Sequence, residues 1–402
     1  MHTHTAFKDR TRLADARQRF AEYVEPHGRT ESVPIEAAAG RVVDQSITAD
    51  RAVPHYQRAA MDGWAVRAED TFGAGDRSPA ILERGSESVT PGRAVRVHTG
   101  SELPDGADAV VMVERVEEVG DELEVFDAVA GGENVAPVGE DVSEGQPLYD
   151  PGHRLRPSDL GLLRSVGYDH IEVLERPTVS VIPTGEELVD ADPDPGEVIE
   201  TNGLTVSRYV EAWGGDATYR DVVTDDFDAL HEAISADLDH DLIVTTGGSS
   251  VGERDLLPDV VEDLGEMIVH GVAIKPGHPV GAGIVDDTPI LVLPGYPVSC
   301  IVTAVQLLRP ALKQVGGMPV SDFPTTEARL EEKINSEPGV RSFARVRLED
   351  RDGERIATRV RASGAGVLSS VALADGWVVV PEALEGIDAG ETVAVQDWEW
   401  SP

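Results

Sequence analysis

The chain has 402 residues, 41% of them hydrophobic, which is enough for several buried cores, so two to four domains are expected rather than one. Its formal net charge is −40, from 74 Asp and Glu against 34 Lys and Arg, a surface that repels nucleic acid and anionic membrane. Only four of the bases are lysines, and the single cysteine, Cys300, excludes an intrachain disulfide and a cysteine-built metal site.

The chain opens MHTHTAFKDRTRLADARQRF, without the apolar run of a signal peptide, and no stretch approaches eighteen apolar residues. A soluble, cytoplasmic protein with no membrane partner is expected, and His2 and His4 read as part of a frayed terminus. The acids are spread along the whole chain among long Val/Leu/Ile runs and regular Gly/Pro punctuation. That pattern argues for an ordered, salt-adapted protein over disorder, and a halophilic source is inferred from the charge and the scarcity of lysine.

Residues 8–25 read as an amphipathic helix with Leu13, Ala16, Phe20 and Val24 on one face, ended by Pro26 and Gly28. From about 50 to 150 the runs are short, Val-rich and broken by Gly, Pro and Asp (AVRVHTG, ADAVVMVERVEEV, DELEVFDAV), a β-rich segment with tight turns. RPSDLGLLRSVG, 156–167, reads as a short helix with Ser158 as N-cap. From Thr178 strands and helices alternate: TVSVIPTG, GLTVSRYVEAWGG, ATYRDVV, FDALHEAISADL, DLIVTTGG, ERDLLPDVVEDLG, MIVHGVAIKPG, PILVLPG and PVSCIVTAVQLLRPAL. This rhythm predicts a parallel sheet with helices on both faces. Beyond Met318-Pro319 short strands return (RSFARVRLED, ERIATRV, GWVVVPE, ETVAVQDWEW) as a small separate β domain.

Ligands of an open parallel sheet bind outside the carboxyl ends of its strands. Four such ends carry unusual loops: PTGEEL (183–188), TTGGSSVGERD (245–255), KPGHP (275–279) and LPGYPVS (293–299). Gly247 to Gly252 has P-loop spacing, but Glu253-Arg254 stands where Lys-Ser/Thr is needed, so an ordinary P-loop NTPase is disfavoured. Two readings remain. The backbone amides approach a phosphate, with Asp255 placed for Mg²⁺, or the loop is a plain turn whose acids complement a helix N-terminus. Lys275 and His278 are candidate oxyanion donors or ordinary loop residues. Pro294 and Pro297 make a stiff turn around Gly295, and Asp62 and Asp141 are acids beside glycines in turns. Spacing therefore supports an anion and metal site in an α/β domain.

Several ordered strings sharpen this. AAMDGWAV, VHTGSELPDGADAVVMVE, GEDVSEG, PTGEEL, ETNG, TTGGSSVGERD, AIKPGHPV, LPGYPVS and ASGAGVLSS, between about Val53 and Glu382, closely resemble the molybdopterin molybdenumtransferase family, MoeA in bacteria and the gephyrin E-domain in animals. The resemblance implies a multidomain α/β and β fold. An N-terminal helix and linker (1–50) with a return segment (141–176) flank a β-rich arm (51–140), and an α/β molybdopterin-binding domain (177–318) precedes a small C-terminal β-barrel (319–402). It implies an elongated homodimer, and Mg²⁺-dependent insertion of molybdate or tungstate into adenylylated molybdopterin with release of AMP. An upstream molybdopterin adenylyltransferase would be the donor.

By the same resemblance Asp62, Asp141, Asp255 and Asp286 are the functional acids, Asp255 and Asp286 holding Mg²⁺ and the first two reaching in from the partner subunit. Gly247, Gly248, Ser249, Ser250 and Gly252 would cradle phosphate. Thr184, Glu186, Asn202, Pro294, Gly295 and Pro297 would line the substrate site, and Lys275, His278, Arg341 and Ser363 would receive molybdate. His278 stands where a second lysine is usual, Ser250 for Val, and Glu186 for Asp. A molybdopterin adenylyltransferase would need the α/β domain alone, and a non-catalytic scaffold would need a partner-binding linker, so both are the weaker alternatives.

Overall fold

A computed structural model describes residues 10–247, 256–360 and 366–400. The chain divides into two compact units. One comprises residues up to 31, 40–42 and everything from 173, and the other comprises 32–39 and 43–172.

The larger unit is built on a six-stranded sheet in the order Asp216–Tyr219, Thr178–Pro183, Leu242–Thr246, Thr288–Leu293, Gly281–Val285, Gly265–His270. The first four strands are parallel and the last two antiparallel. The central strands are apolar at nearly every position because both faces are covered. Val179, Val181, Leu242, Val244, Leu291 and Leu293 turn to one core, which holds the helices Asn202–Ala212 and Pro297–Thr303. Ile182, Ile243, Ile290 and Val292 turn to the other, with the helices Phe227–Ser235 and Leu257–Leu264. The period of two inside continuous apolar runs thus sorts side chains between two layers.

The expected parallel sheet is present in four strands, and the expected single strand MIVHGVAIKPG needs correction. Gly265–His270 runs antiparallel at the edge, whereas Ile274–Lys275 leaves the sheet altogether. Gly281–Val285 was not foreseen as a strand, since Gly281 and Gly283 blank out its apolar period. Gly283 is required there, because a Cβ would lie 2.7 Å from the Glu266 carbonyl oxygen.

The C-terminal segment closes into a five-stranded barrel: Arg341–Arg351, Glu354–Arg359, Thr325–Leu330, Thr392–Gln396, Gly376–Val380 and back to Arg341–Arg351. The eleven-residue strand makes closure possible, pairing Gly376–Val380 with its first half and Glu354–Arg359 with its second. Leu330, Val346, Val378, Val380 and Val395 fill the interior. On the outer wall Trp377 stacks on Trp398 at 4.5 Å and meets Phe343 edge-on at 5.0 Å, joining the α/β core. Ile274–Lys275 adds a sixth strand, parallel to the start of Arg341–Arg351.

At the N-terminus the helix is shorter than expected, Leu13–Ala21, because Thr11 is tied in extended form to Val272, its amide donating to the Gly271 carbonyl at 3.1 Å. Leu13, Ala16, Phe20 and Val24 are all buried as expected.

The smaller unit is a six-stranded sheet ordered Ala109–Met112, Gly63–Val66, Arg93–Val97, Ala80–Gly85, Glu122–Val125, Val116–Val119. Its helix Pro157–Ser165 is capped by Arg156 and not by Ser158. Pro157 takes the first helical position, where its missing N–H costs nothing. Buried Asp159 reaches back to accept from the Arg156 amide at 2.9 Å.

Candidate functional site at the carboxyl edge

Three loops touch where the parallel strands end. The Gly247 amide donates to the Leu293 carbonyl at 3.1 Å. A Cβ on Gly247, whose φ is +156°, would fall 2.1 Å from the Thr184 carbonyl oxygen, and one on Gly295 would fall 3.5 Å from the Gly247 Cα. Thr184, Gly247 and Gly295 are thus brought together, and Gly247 is there because backbones meet. Asn202 Nδ2 fixes the third loop by donating to the Gly295 carbonyl at 2.7 Å. Pro297 then opens its helix, and Tyr296, 66% exposed, precedes it.

Polar groups at this edge are left unsatisfied. The hydroxyls of Thr184, Thr245 and Thr246 are buried without a hydrogen-bond partner among the described residues. An orphaned buried hydroxyl costs roughly 1–3 kcal/mol, and Thr184 and Thr246 stand at the ends of adjacent strands, where such groups are candidates to bind a ligand.

Asp225 adds a second signal. Its Oδ1 is buried and unpartnered, and burial, then Glu187, then Glu186, push its carboxyl above the ordinary carboxylate range. The strand-like contact of Val223 with Thr184 and Gly185 sets these acids beside the Thr184 loop. Sequence reasoning missed Asp225, one acid among 74. It also passed over Glu200 of ETNG, which is buried and accepts from the Gly203 amide at 2.7 Å and from the Tyr219 hydroxyl. Glu200 thereby anchors the start of the helix that carries Asn202.

KPGHP reaches the same edge, since Gly281, just beyond it, pairs with Val292 near the end of the central strand. A Cβ on Gly277 would meet Thr303 Cγ2 at 2.5 Å, so the loop lies against the helix Pro297–Thr303. Ile274 is in register with Arg341 and Lys275 with Ser342, and the Arg341 amide donates to the Ala273 carbonyl at 3.0 Å. The exposed Lys275 and half-buried Arg341, 66 positions apart in sequence, thus come onto adjacent strands, with Lys275 on the face of Ser342 and Arg341 on the face of Ile274. Arg341 pairs with Glu382 at 2.9 Å while its Nε stays buried and unpartnered. Burial first, then Arg10, hold His278 below its ordinary value, Lys275 acting the same way and Glu337 opposing. These surroundings favour the neutral imidazole.

The smaller unit holds the other two acids. Asp62 is exposed, and its Oδ1 accepts from the Thr99 amide at 2.7 Å and the Thr99 hydroxyl at 2.8 Å, which lowers its pKa. In MDG the glycine is forced, since a Cβ on Gly63 would lie 2.0 Å from the Val111 carbonyl oxygen. Asp141 is exposed, and its amide donates to the Val53 carbonyl at 3.0 Å, which places both acids on turns bound to the segment 53–62.

Two expectations are corrected. Asp286 is not at this edge. With Asp287 it forms the two-residue turn between Gly281–Val285 and Thr288–Leu293, at φ of 45° and 69°, the left-handed geometry of a tight hairpin. That turn precedes the strand whose far end carries Pro294, about 20 Å away at the usual rise per residue. Gly247 does not offer its amide to phosphate, because Leu293 already takes it. Gly248, Ser249, Ser250, Gly252, Asp255 and Ser363 lie outside the described residues.

Among the described residues no three His, Cys, Asp or Glu converge to hold a metal ion. Asp225, with an orphaned oxygen beside two like charges, nevertheless suits a hard divalent cation in its donor type.

The chain matches three family models: the MoeA N-terminal region (domains I and II) over residues 11–167, a molybdopterin binding domain over 180–314, and the MoeA C-terminal region (domain IV) over 327–398. It is 33% identical to molybdopterin molybdenumtransferase 2 of Mycobacterium tuberculosis, covering 91% of this chain and 94% of the relative. With the molybdopterin molybdenumtransferase of Bacillus subtilis it shares 30% identity over 94% of both chains. A crystal structure of a MoeA molybdopterin biosynthesis protein from Pyrococcus horikoshii superposes with a TM-score of 0.83 at 33% identity, covering 97% of this chain and 99% of that one.

Proposed function

The chain belongs to the MoeA family and is an enzyme of the molybdopterin molybdenumtransferase class, acting in molybdenum cofactor biosynthesis, and on that premise we propose that it inserts molybdate into adenylylated molybdopterin with release of AMP. The observation that carries the reading is the departure of Ile274–Lys275 from the α/β sheet to pair with Arg341. That pairing brings the KPGHP loop and its exposed lysine, one of four in the chain, to the edge that carries the orphaned hydroxyls, which supports an oxyanion or phosphate ligand in an otherwise acidic protein.

In this reading Thr184 and Thr246 donate to the substrate, and Asn202 and Glu200 hold the Gly295 loop and its helix in place. Lys275 and Arg341 receive molybdate. Mg²⁺, held by Asp225 and Asp255, would neutralise the phosphoanhydride and polarise phosphorus for attack. Asp62 enters as a preformed carboxylate, its charge fixed by Thr99, and Asp141 with it. A homodimer and an upstream molybdopterin adenylyltransferase belong to the same proposal. Catalysis is then positioning and charge stabilisation without a covalent nucleophile.

The test is single-turnover AMP release from adenylylated molybdopterin in concentrated KCl with Mg²⁺. Release is expected to need molybdate, and to fall about 100-fold or more in Asp255→Asn and Asp225→Asn, the scale of losing an electrostatic group in the transition state. Pterin binding without AMP release in the wild type would overturn the reading.

A further inference from the structure

Two tyrosines stand at the carboxyl edge, and the fold uses only one of them. Tyr219 closes the edge strand Asp216–Tyr219. A Cβ on Gly203 would lie 2.6 Å from its Cε2, so the ring packs on that glycine, and its hydroxyl bonds buried Glu200. Tyr296 has no such role. It is 66% exposed, and among the described residues its hydroxyl has no hydrogen-bond partner.

A lone exposed ring is ordinary on a protein surface. Three features set this one apart. Its backbone is fixed: Pro297 follows it, and the φ of −72° and ψ of 124° are the extended form that a residue before proline adopts. The carbonyl of the preceding Gly295 is held by Asn202 at 2.7 Å, and Gly295 lies against Gly247. Its place is the second feature, since Gly247 directly follows Thr246, whose hydroxyl is buried and unpartnered. Third, the ring is backed by a distant part of the chain. A Cβ on Gly366 would lie 3.4 Å from Tyr296 Cδ1 and 3.8 Å from Cε1, so one edge of the ring rests on that backbone while the rest stays in water. A tyrosine held in this way has two torsions left to lose on meeting a ligand, and its bare ring attracts another planar ring by offset stacking.

We propose that Tyr296 is a substrate-binding residue whose ring stacks on a fused nitrogen heteroaromatic ring, the shape shared by the pterin and the adenine of adenylylated molybdopterin. This deepens the function proposed above and rests on it for the identity of the substrate. The orphaned hydroxyls of the edge meet polar parts of that substrate, and Tyr296 sets the plane of one ring.

Isothermal titration of the full-length protein with AMP, and separately with molybdopterin under nitrogen, tests it. Tyr296→Ala is expected to weaken one of the two ligands about tenfold or more, the scale of losing one base–aromatic stack. Tyr296→Phe and Tyr296→Trp keep a ring and should stay within about threefold of wild type. Tyr296→Leu keeps apolar bulk without a ring and should lose nearly as much as alanine. All four variants should keep the wild-type unfolding midpoint, because the side chain is exposed, which separates the effect from loss of fold. Weakened AMP with unchanged molybdopterin assigns the adenine, and the reverse assigns the pterin. Wild-type affinity for both ligands in Tyr296→Ala overturns this inference alone. Full affinity in Tyr296→Leu beside weakened binding in Tyr296→Ala overturns the stacking and leaves a plain apolar contact. A wild-type protein that binds neither ligand overturns the proposed function itself.

Discussion

The two ends of the α/β sheet are built from the same residue types and treat them in opposite ways. At the amino end Asp241 is fully used: it accepts from the Thr178 amide at 2.8 Å, the Thr178 hydroxyl at 3.0 Å and both terminal nitrogens of Arg29 at 2.7 and 2.8 Å. At the carboxyl end Asp225 has an orphaned oxygen and two acidic neighbours, and Thr184 and Thr246 donate to nothing described. The satisfied groups at the amino end lower the free energy of the fold, and the unsatisfied ones at the carboxyl end raise it. Polar groups alone do not mark a site. Polar groups that the protein itself leaves unsatisfied do.

The largest separation is expected from truncating the acids. Asp241→Ala strips Arg29 and Thr178 of their acceptor and should cost roughly 3 kcal/mol, as removing one member of a half-buried charged network does. This is measurable as a fall in urea midpoint in KCl. The folded fraction should keep its rate of AMP release. Asp225→Asn should do the reverse, keeping or raising the midpoint while collapsing the rate. Equal stability losses in the two variants would break the comparison.

Next come the threonines. Thr178→Val should destabilise by about 1–3 kcal/mol, since it leaves a buried acceptor short. Thr184→Val should be neutral or slightly stabilising in urea, because it removes a group that had no partner, yet weaken substrate binding about tenfold, the worth of one hydrogen bond restored only in the complex.

The smallest effect is in pH. Asp241 is pushed up by burial, but Arg29 and Thr178 outweigh that and hold it below the ordinary value. The stability it contributes is present above the ordinary carboxylate range and lost as pH falls through its folded value. Asp225, raised by burial and then by Glu187 and Glu186, has the opposite sign. Its contribution is full below the ordinary range and lost as pH rises through its raised value. Unfolding midpoints from pH 3 to 7 should therefore show a flatter acid limb in Asp241→Asn and a gain near neutrality in Asp225→Asn.

What could be read from the chain alone followed the same division. Periodicity found the helix face of Leu13, Ala16 and Phe20 and the apolar strands of the α/β sheet, because burial writes a repeat into the sequence. Loop chemistry found Thr184, Gly247, Lys275 and Gly295, because closely approaching backbones demand glycine and proline. Asp286 was misplaced because a resemblance between strings does not show the chain reversing direction, and the reversing strand was disguised by glycines. Asp225 and Glu200 were invisible for a different reason. An acid is made functional by what surrounds it, and the Glu200–Tyr219 bond and the crowding of Asp225 exist only after folding. The pairing of Ile274–Lys275 with the strand that begins at Arg341 depends likewise on segments far apart in sequence.

Ile274–Lys275 also bears on modularity. By composition the barrel begins near residue 319, and an engineer would cut there to transplant it. The cut would leave behind the two residues that line the open flank of Arg341–Arg351, exposing unpaired amides and carbonyls on which a second chain would add itself edge to edge. It would also separate Lys275 from Ser342, its partner in register. The barrel is a lodger whose doorframe belongs to the neighbouring house, and any chimera that keeps its solubility will have to carry residues 271–279 along with it.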